Sequence, residues 1–94
     1  MKKIFWHQQF KRAFKSISEH DHGLKERIFI VLNILAENHF DPRLRTHKLR
    51  GKLDGLYSCS VEYDCRIIFS IEKDKLTNQD TIGLLDIGTH DDVY

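Results

Sequence analysis

The chain has 94 residues, of which 31% are charged and 40% hydrophobic, a length that makes a single domain, 1–94, with a modest core. Two cysteines, Cys59 and Cys65, are too few for a disulfide-stapled secreted scaffold, and no apolar run approaches the ~20 residues of a membrane span. The net charge of +1 hides an asymmetry: residues 1–56 hold 12 Lys/Arg against 6 Asp/Glu, and residues 57–94 hold 3 against 8.

A basic half can serve as an electrostatic footprint for a polyanion, although solvated helix faces produce the same balance. The N-terminus starts like a signal peptide but turns polar at His7-Gln8-Gln9, so the expected location is the cytoplasm. Both cysteines read as reduced, partly buried thiols near each other across a hairpin.

Residues 2–6 end in β-formers and read as a strand. Phe10, Ala13, Phe14 and Ile17 then recur at i, i+3, i+4 and i+7, the apolar stripe of an amphipathic helix from about His7 to Glu19. His20-Asp21-His22-Gly23 breaks the pattern as a turn. A second stripe, Leu24, Ile28, Val31, Leu32 and Leu35, predicts a helix from about Leu24 to Asn38. Two helices joined so closely are expected to pack as an antiparallel hairpin.

Residues 39–56 change character. Asp41-Pro42 marks a turn, because the residue before proline avoids the helical region. Arg43, Arg45, His47, Lys48, Arg50 and Lys52 follow, with only Leu44 and Leu49 apolar among them. This stretch reads as an exposed basic connection that builds no core, and such loops are often functional.

From Tyr57 the period becomes two. Tyr57, Cys59 and Val61 alternate with polar residues, a tight hairpin falls at Glu62-Tyr63-Asp64, and Cys65, Ile67, Phe69 and Ile71 resume the alternation. A polar turn over residues 73–80 precedes a last strand, Thr81 to Ile87, and the seven-residue tail has room for one helical turn. The order β-α-α-β-β-β is that of an α+β fold, a two-helix hairpin packed on an antiparallel sheet, with the partner of the first strand open.

Several blocks then coincide: His47-Lys48-Leu49-Arg50-Gly51, Tyr63-Asp64-Cys65-Arg66-Ile67-Ile68-Phe69, and Ile87-Gly88-Thr89-His90-Asp91-Asp92-Val93-Tyr94. Together they resemble the RelE/ParE toxin superfamily, and within it the YafQ-like branch of messenger-RNA interferases. The resemblance runs over nearly the whole chain. It implies a microbial-ribonuclease-like fold, a type II toxin–antitoxin system, and ribosome-dependent cleavage of messenger RNA. It carries His47, Asp64, His90 and Tyr94 onto the family's site positions, and Arg66, more loosely, onto a phosphate-contacting arginine. The chain departs from the pattern at Ser60 and Cys65, where YafQ-like sequences often hold histidine and tryptophan.

RNA cleavage by 2′-OH attack needs a base, an acid and cations, and no metal or other cofactor. Each positioned acid or base supplies about 10²–10⁴ in rate, and a guanidinium grips phosphate bidentately. On this reading His90 and Asp64 share the acid and base work, His47 is a third proton-transfer or phosphate-binding group, and Arg66 stabilises charge. Two-residue alternation places Asp64 and Arg66 on one face. Lys11, Arg12, Lys15, Arg43, Arg45, Lys48, Arg50 and Lys52 would grip RNA.

Bland roles compete with each of these: Asp64 as a turn former, Arg66 in a surface ion pair with Glu62 or Asp64, His90 and Tyr94 as solvated tail residues. His20-Asp21-His22 lacks the spacing of a metal site. Two rival functions also follow from the resemblance, a ParE-like gyrase-inhibiting toxin without enzymatic activity and an inactive homologue that only binds its antitoxin. All three readings imply a cognate antitoxin protein as partner; the first adds the ribosome and messenger RNA.

Overall fold

The structure, a computed structural model, describes residues 2–89 and 93–94. Five strands and two helices follow in the order β1 (Lys3–Trp6), α1 (Gln8–His20), α2 (His22–Glu37), β2 (His47–Lys48), β3 (Tyr57–Glu62), β4 (Cys65–Lys73) and β5 (Asp80–Gly88), with short 3-10 turns at Pro42–Leu44 and Gly51–Leu53. The α+β class holds. The sheet order is β1-β5-β4-β3-β2. β1 finds its partner in β5 and runs parallel to it, while every other pair is antiparallel.

The core lies between the helices and one face of this sheet. Phe10 of α1 and Ile28, Val31, Leu32 and Leu35 of α2 pack on Cys59, Ile67, Phe69, Ile82 and Leu84. A ladder of edge-to-face rings, Trp6 on Phe10 and Phe14, then Phe14 on Phe29, ties β1 to both helices. Such aromatic pairs add about 0.5–1.5 kcal/mol beyond the area they bury. Among the described residues no helix is long and apolar enough to cross a membrane.

Two expectations change. The four-residue turn between the helices shrinks to Asp21 alone. Its backbone N–H donates to the Ile17 carbonyl and closes α1, and its carboxylate accepts the Leu24 N–H at 3.0 Å and opens α2. One extended residue (φ −149°) serves both ends, so His20 and His22 remain helical.

The basic connection also contributes to the core. Leu44 is fully buried in the main cluster and Leu49 is buried too. Polar neighbours concealed two anchors: Asp41 caps the first 3-10 turn, which aims Leu44 inward, and the Leu49 N–H donates to the Leu56 carbonyl. Between the anchors the chain adds β2 to the sheet edge, with Gly51 and Gly55 at positive φ turning the segment that follows.

Candidate functional site

The strands have a second face, opposite the helices, on which His47 is exposed while Ser58 and Ile68 are buried. Across it, the ladder sets His47 of β2 beside Ser58 of β3, Ser58 beside Ile68 of β4, and Ile68 beside Asp86 of β5. The next row outward is Ser60, Arg66 and Gly88. Strict alternation on β3 and β4 makes this face, because the intervening Cys59 and Ile67 point into the core.

Tyr94 reaches this face from the far end of the chain. Its phenolic O–H donates to Ser58 Oγ at 2.5 Å, although Ser58 lies 36 positions earlier and is fully buried. His47, Tyr94, Leu49, Arg50, Lys52 and Leu53 thereby enclose a cleft of about 450 Å³. Within it His47 is exposed, and its Nδ1 lies 3.2 Å from the Arg45 carbonyl oxygen. A carbonyl only accepts, so this bond places the hydrogen on Nδ1. In the neutral ring the lone pair is then on Nε2, the arrangement a proton acceptor requires.

A second cleft, of about 390 Å³, includes Arg45, whose carbonyl accepts from His47 of the first. Arg27, Arg43, Arg45 and Arg66 line it together with Ser60 and Glu62. Arg66 Nη1 donates to Ser60 Oγ at 3.4 Å. Arg43 is held by both oxygens of Asp41, at 3.0 and 2.9 Å, and this fork keeps the Asp41 carboxyl down at about 2. The ion pair suggested by the sequence, Arg66 with Glu62 or Asp64, is absent among the described residues.

Asp64 belongs elsewhere. It lies in the turn between β3 and β4 and lines a third cleft, of about 270 Å³, with Ser16 and Ile17 of α1 and Gly88 and Thr89 at the end of β5. Asp64 and Arg66 thus line different clefts, with Glu62 on the wall of both. Alternation begins only at Cys65, and an irregularity between Ser60 and Glu62 pairs Glu62 with Cys65, so the residue before Cys65 obeys turn geometry. Thr89, on the wall of this cleft, directly precedes His90; His90 itself lies outside the described residues.

The basic residues divide into two groups. Arg43 and Arg45 line the arginine cleft, Arg50 and Lys52 line the His47 cleft, and Lys48 is exposed on β2. Lys11, Arg12 and Lys15 are exposed on α1, in the helical layer, and line neither of these clefts. The candidate site residues taken from the sequence leave out Arg27 and Ser58, and Ser60 enters there only as a departure from the family pattern. Nothing in the sequence sets Arg27 apart, since it ends the charged run Lys25-Glu26-Arg27; the serines were legible as the outward partners of the Cys59 alternation.

Both cysteines are free and buried. Burial pushes the Cys59 thiol up to about 12 and the Cys65 thiol to about 11, the latter helped by Glu62 and Asp64. Neither is a nucleophile near neutral pH. Among the described residues no three His, Cys, Asp or Glu side chains gather as metal ligands.

The fold is similar to that of several solved structures. A YoeB/ParE toxin from Agrobacterium tumefaciens superposes with a TM-score of 0.80 at 14% identity, covering 94% of this chain and 98% of that one. YafQ from E. coli strain BL21(DE3) gives 0.79 at 17% identity, covering 100% and 99%. The YafQ chain of the E. coli DinJ–YafQ complex gives 0.78 at 17%, again covering 100% and 99%. At these identities the likeness is one of fold. No curated protein matches the sequence. The family model for YafQ, bacterial toxin of a type II toxin–antitoxin system, matches residues 2–94, and the chain belongs to that family of toxins.

Proposed function

We propose that this toxin is an endoribonuclease that cuts messenger RNA on the ribosome, in the cytoplasm, by attack of a ribose 2′-OH on the adjacent phosphate. The observation that carries this reading is a pair of clefts linked by the hydrogen bond from His47 Nδ1 to the Arg45 carbonyl. One offers an exposed imidazole with its Nε2 lone pair available, and the other gathers four guanidinium groups.

In this scheme the 2′-oxygen loses its proton to a base, attacks phosphorus and closes a 2′,3′-cyclic phosphate as the bond to the 5′-oxygen breaks. That oxygen takes a proton from an acid. His47 Nε2 is suited to one of these transfers and His90 to the other, with Asp64 beside the segment that leads to His90. Arg66 faces the charge that develops on the phosphate oxygens, where a fixed donor in a partly desolvated site is worth most. Tyr94, held by Ser58, walls the His47 cleft. Arg50 and Lys52 extend the positive surface along the RNA, and the exposed cations of α1 suit contacts to ribosomal RNA.

An antitoxin protein is the expected partner, since the E. coli relative was crystallised with DinJ.

Primer extension on a reporter messenger RNA in cell-free translation tests the reading. The expected result is new cuts that require translating ribosomes and vanish with His47→Ala or His90→Ala. Intact message in the presence of the folded wild-type toxin would overturn it, and a DNA supercoiling assay would then test gyrase as the target.

A further inference from the structure

The arginine cleft holds more positive charge than one scissile phosphate needs. β2 pairs only with Tyr57 and Ser58, so the edge of β3 is open from Ser60 onward, and there Arg27 crosses from α2. Its Nε donates to the Val61 carbonyl at 3.0 Å, which fixes the guanidinium plane and leaves its two terminal nitrogens without a hydrogen bond among the described residues. Arg66 approaches from β4, steadied by Ser60. Arg43 and Arg45 come from the 3-10 turn. Of the four, only Arg43 has a carboxylate partner among the described residues.

Arg45 adds an independent sign. Its φ is 52°, in the left-handed region, a conformation that glycine adopts freely and a side chain adopts under strain. A guanidinium is retained where the backbone would favour having no side chain. Its carbonyl also accepts from His47 Nδ1, which links this cleft to the His47 cleft.

The geometry points to a second phosphate subsite, in which Arg27, Arg45 and Arg66, with Arg43 at the rim, bind the backbone phosphate of the nucleotide next to the one being cut. This assignment rests on the endoribonuclease reading. Several planar forks around one hydroxyl suit a tetrahedral oxyanion, whose oxygens accept from several directions, better than a single planar carboxylate. The subsite would set the register of the strand, so that the next phosphate falls beside His47. Phosphate contacts of this kind position RNA without reading its sequence.

The test uses a 2′-O-methyl tetranucleotide, which cannot be cleaved, and the full chain. In NMR spectra of arginine side chains, the Nε–H signals of Arg27, Arg45 and Arg66 are expected to shift saturably with this RNA. Arg45→Gly removes the guanidinium and suits the backbone. It should weaken binding about fivefold to tenfold and lower the salt dependence of log K by roughly 0.7, with an undiminished urea midpoint. Arg27→Gln, on an exposed helix position, should do the same to binding.

Unchanged affinity and salt slope in both variants would overturn the subsite. So would an acidic peptide that shifts these signals while the RNA does not, which would assign the cleft to a carboxylate-bearing partner. If the RNA binds through these arginines but no message is cut on ribosomes, the endoribonuclease reading falls, and with it the placement beside a cut phosphate, while phosphate binding by these arginines stands.

Discussion

The sheet has two faces built from the same strands. Under the helices, Cys59, Ile67, Phe69, Ile82 and Leu84 are withdrawn from solvent and touch mainly one another and the helices. Behind, Ser58, Ser60 and Arg66 occupy the alternate positions of β3 and β4, with His47 of β2 beside Ser58. The first face is held by non-directional burial, the second by individual hydrogen bonds such as Tyr94 to Ser58 and Arg66 to Ser60. A substitution on the first face should therefore be felt in stability. On the second, at exposed His47, it should be felt in activity, because an exposed group contributes little to folding.

The sharpest way to break this contrast is Phe69→Ala. Phe69 is fully buried and stacks on Tyr57, and its loss should cost about 3–5 kcal/mol, a large share of the stability of a domain this size. Urea denaturation measures it. His47→Ala should do the reverse. Its unfolding free energy in urea should change by no more than about 0.5 kcal/mol, while single-turnover cleavage on ribosomes falls by about 10²–10⁴. A large stability loss in that variant would mean the open face is structural after all.

Tyr94→Phe sits between the two faces, because it removes a hydrogen bond to a buried hydroxyl. It should cost about 0.5–1.5 kcal/mol and reduce cleavage less than His47→Ala does, checked by the same two assays.

The subtlest effect is one of pH. His39 is buried and its Nδ1 has no hydrogen-bond partner among the described residues. Burial lowers its pKa below the usual 6.5, and the positive charge of Lys2 adds to this. The native state therefore binds fewer protons than the unfolded chain. The stabilisation is full above about 6.5 and is lost as pH falls through the lowered native value. Urea midpoints at pH 7.5 and pH 5 should show this decline, and His39→Phe should flatten it.

Long periodic elements were legible in the sequence. The stripes of α1 and α2 and the alternation of β3 and β4 stand within a residue or two of their expected places, because each repeats its signal several times. β2 was not legible: two residues have no period, and their pairing depends on β3 arriving ten positions later. Leu44 and Leu49 were read as loop residues because their burial depends on where a capped turn aims them. The site was legible in composition more than in arrangement. The basic segment and His47 were visible, but which cations share a cleft is decided by topology. Arg27 joins Arg45 only because α2 passes the open edge of β3, and Asp64 leaves Arg66 because a turn, and not a strand, positions it.

Asp21 closes one helix with its backbone and opens the next with its side chain. Neither helix can fray at that end without releasing the other's first or last hydrogen bond. In the language of hydrogen exchange, the amides on the two sides of Asp21 should open together as one cooperative unit, and Asp21→Ala should raise their exchange rates in both helices at once.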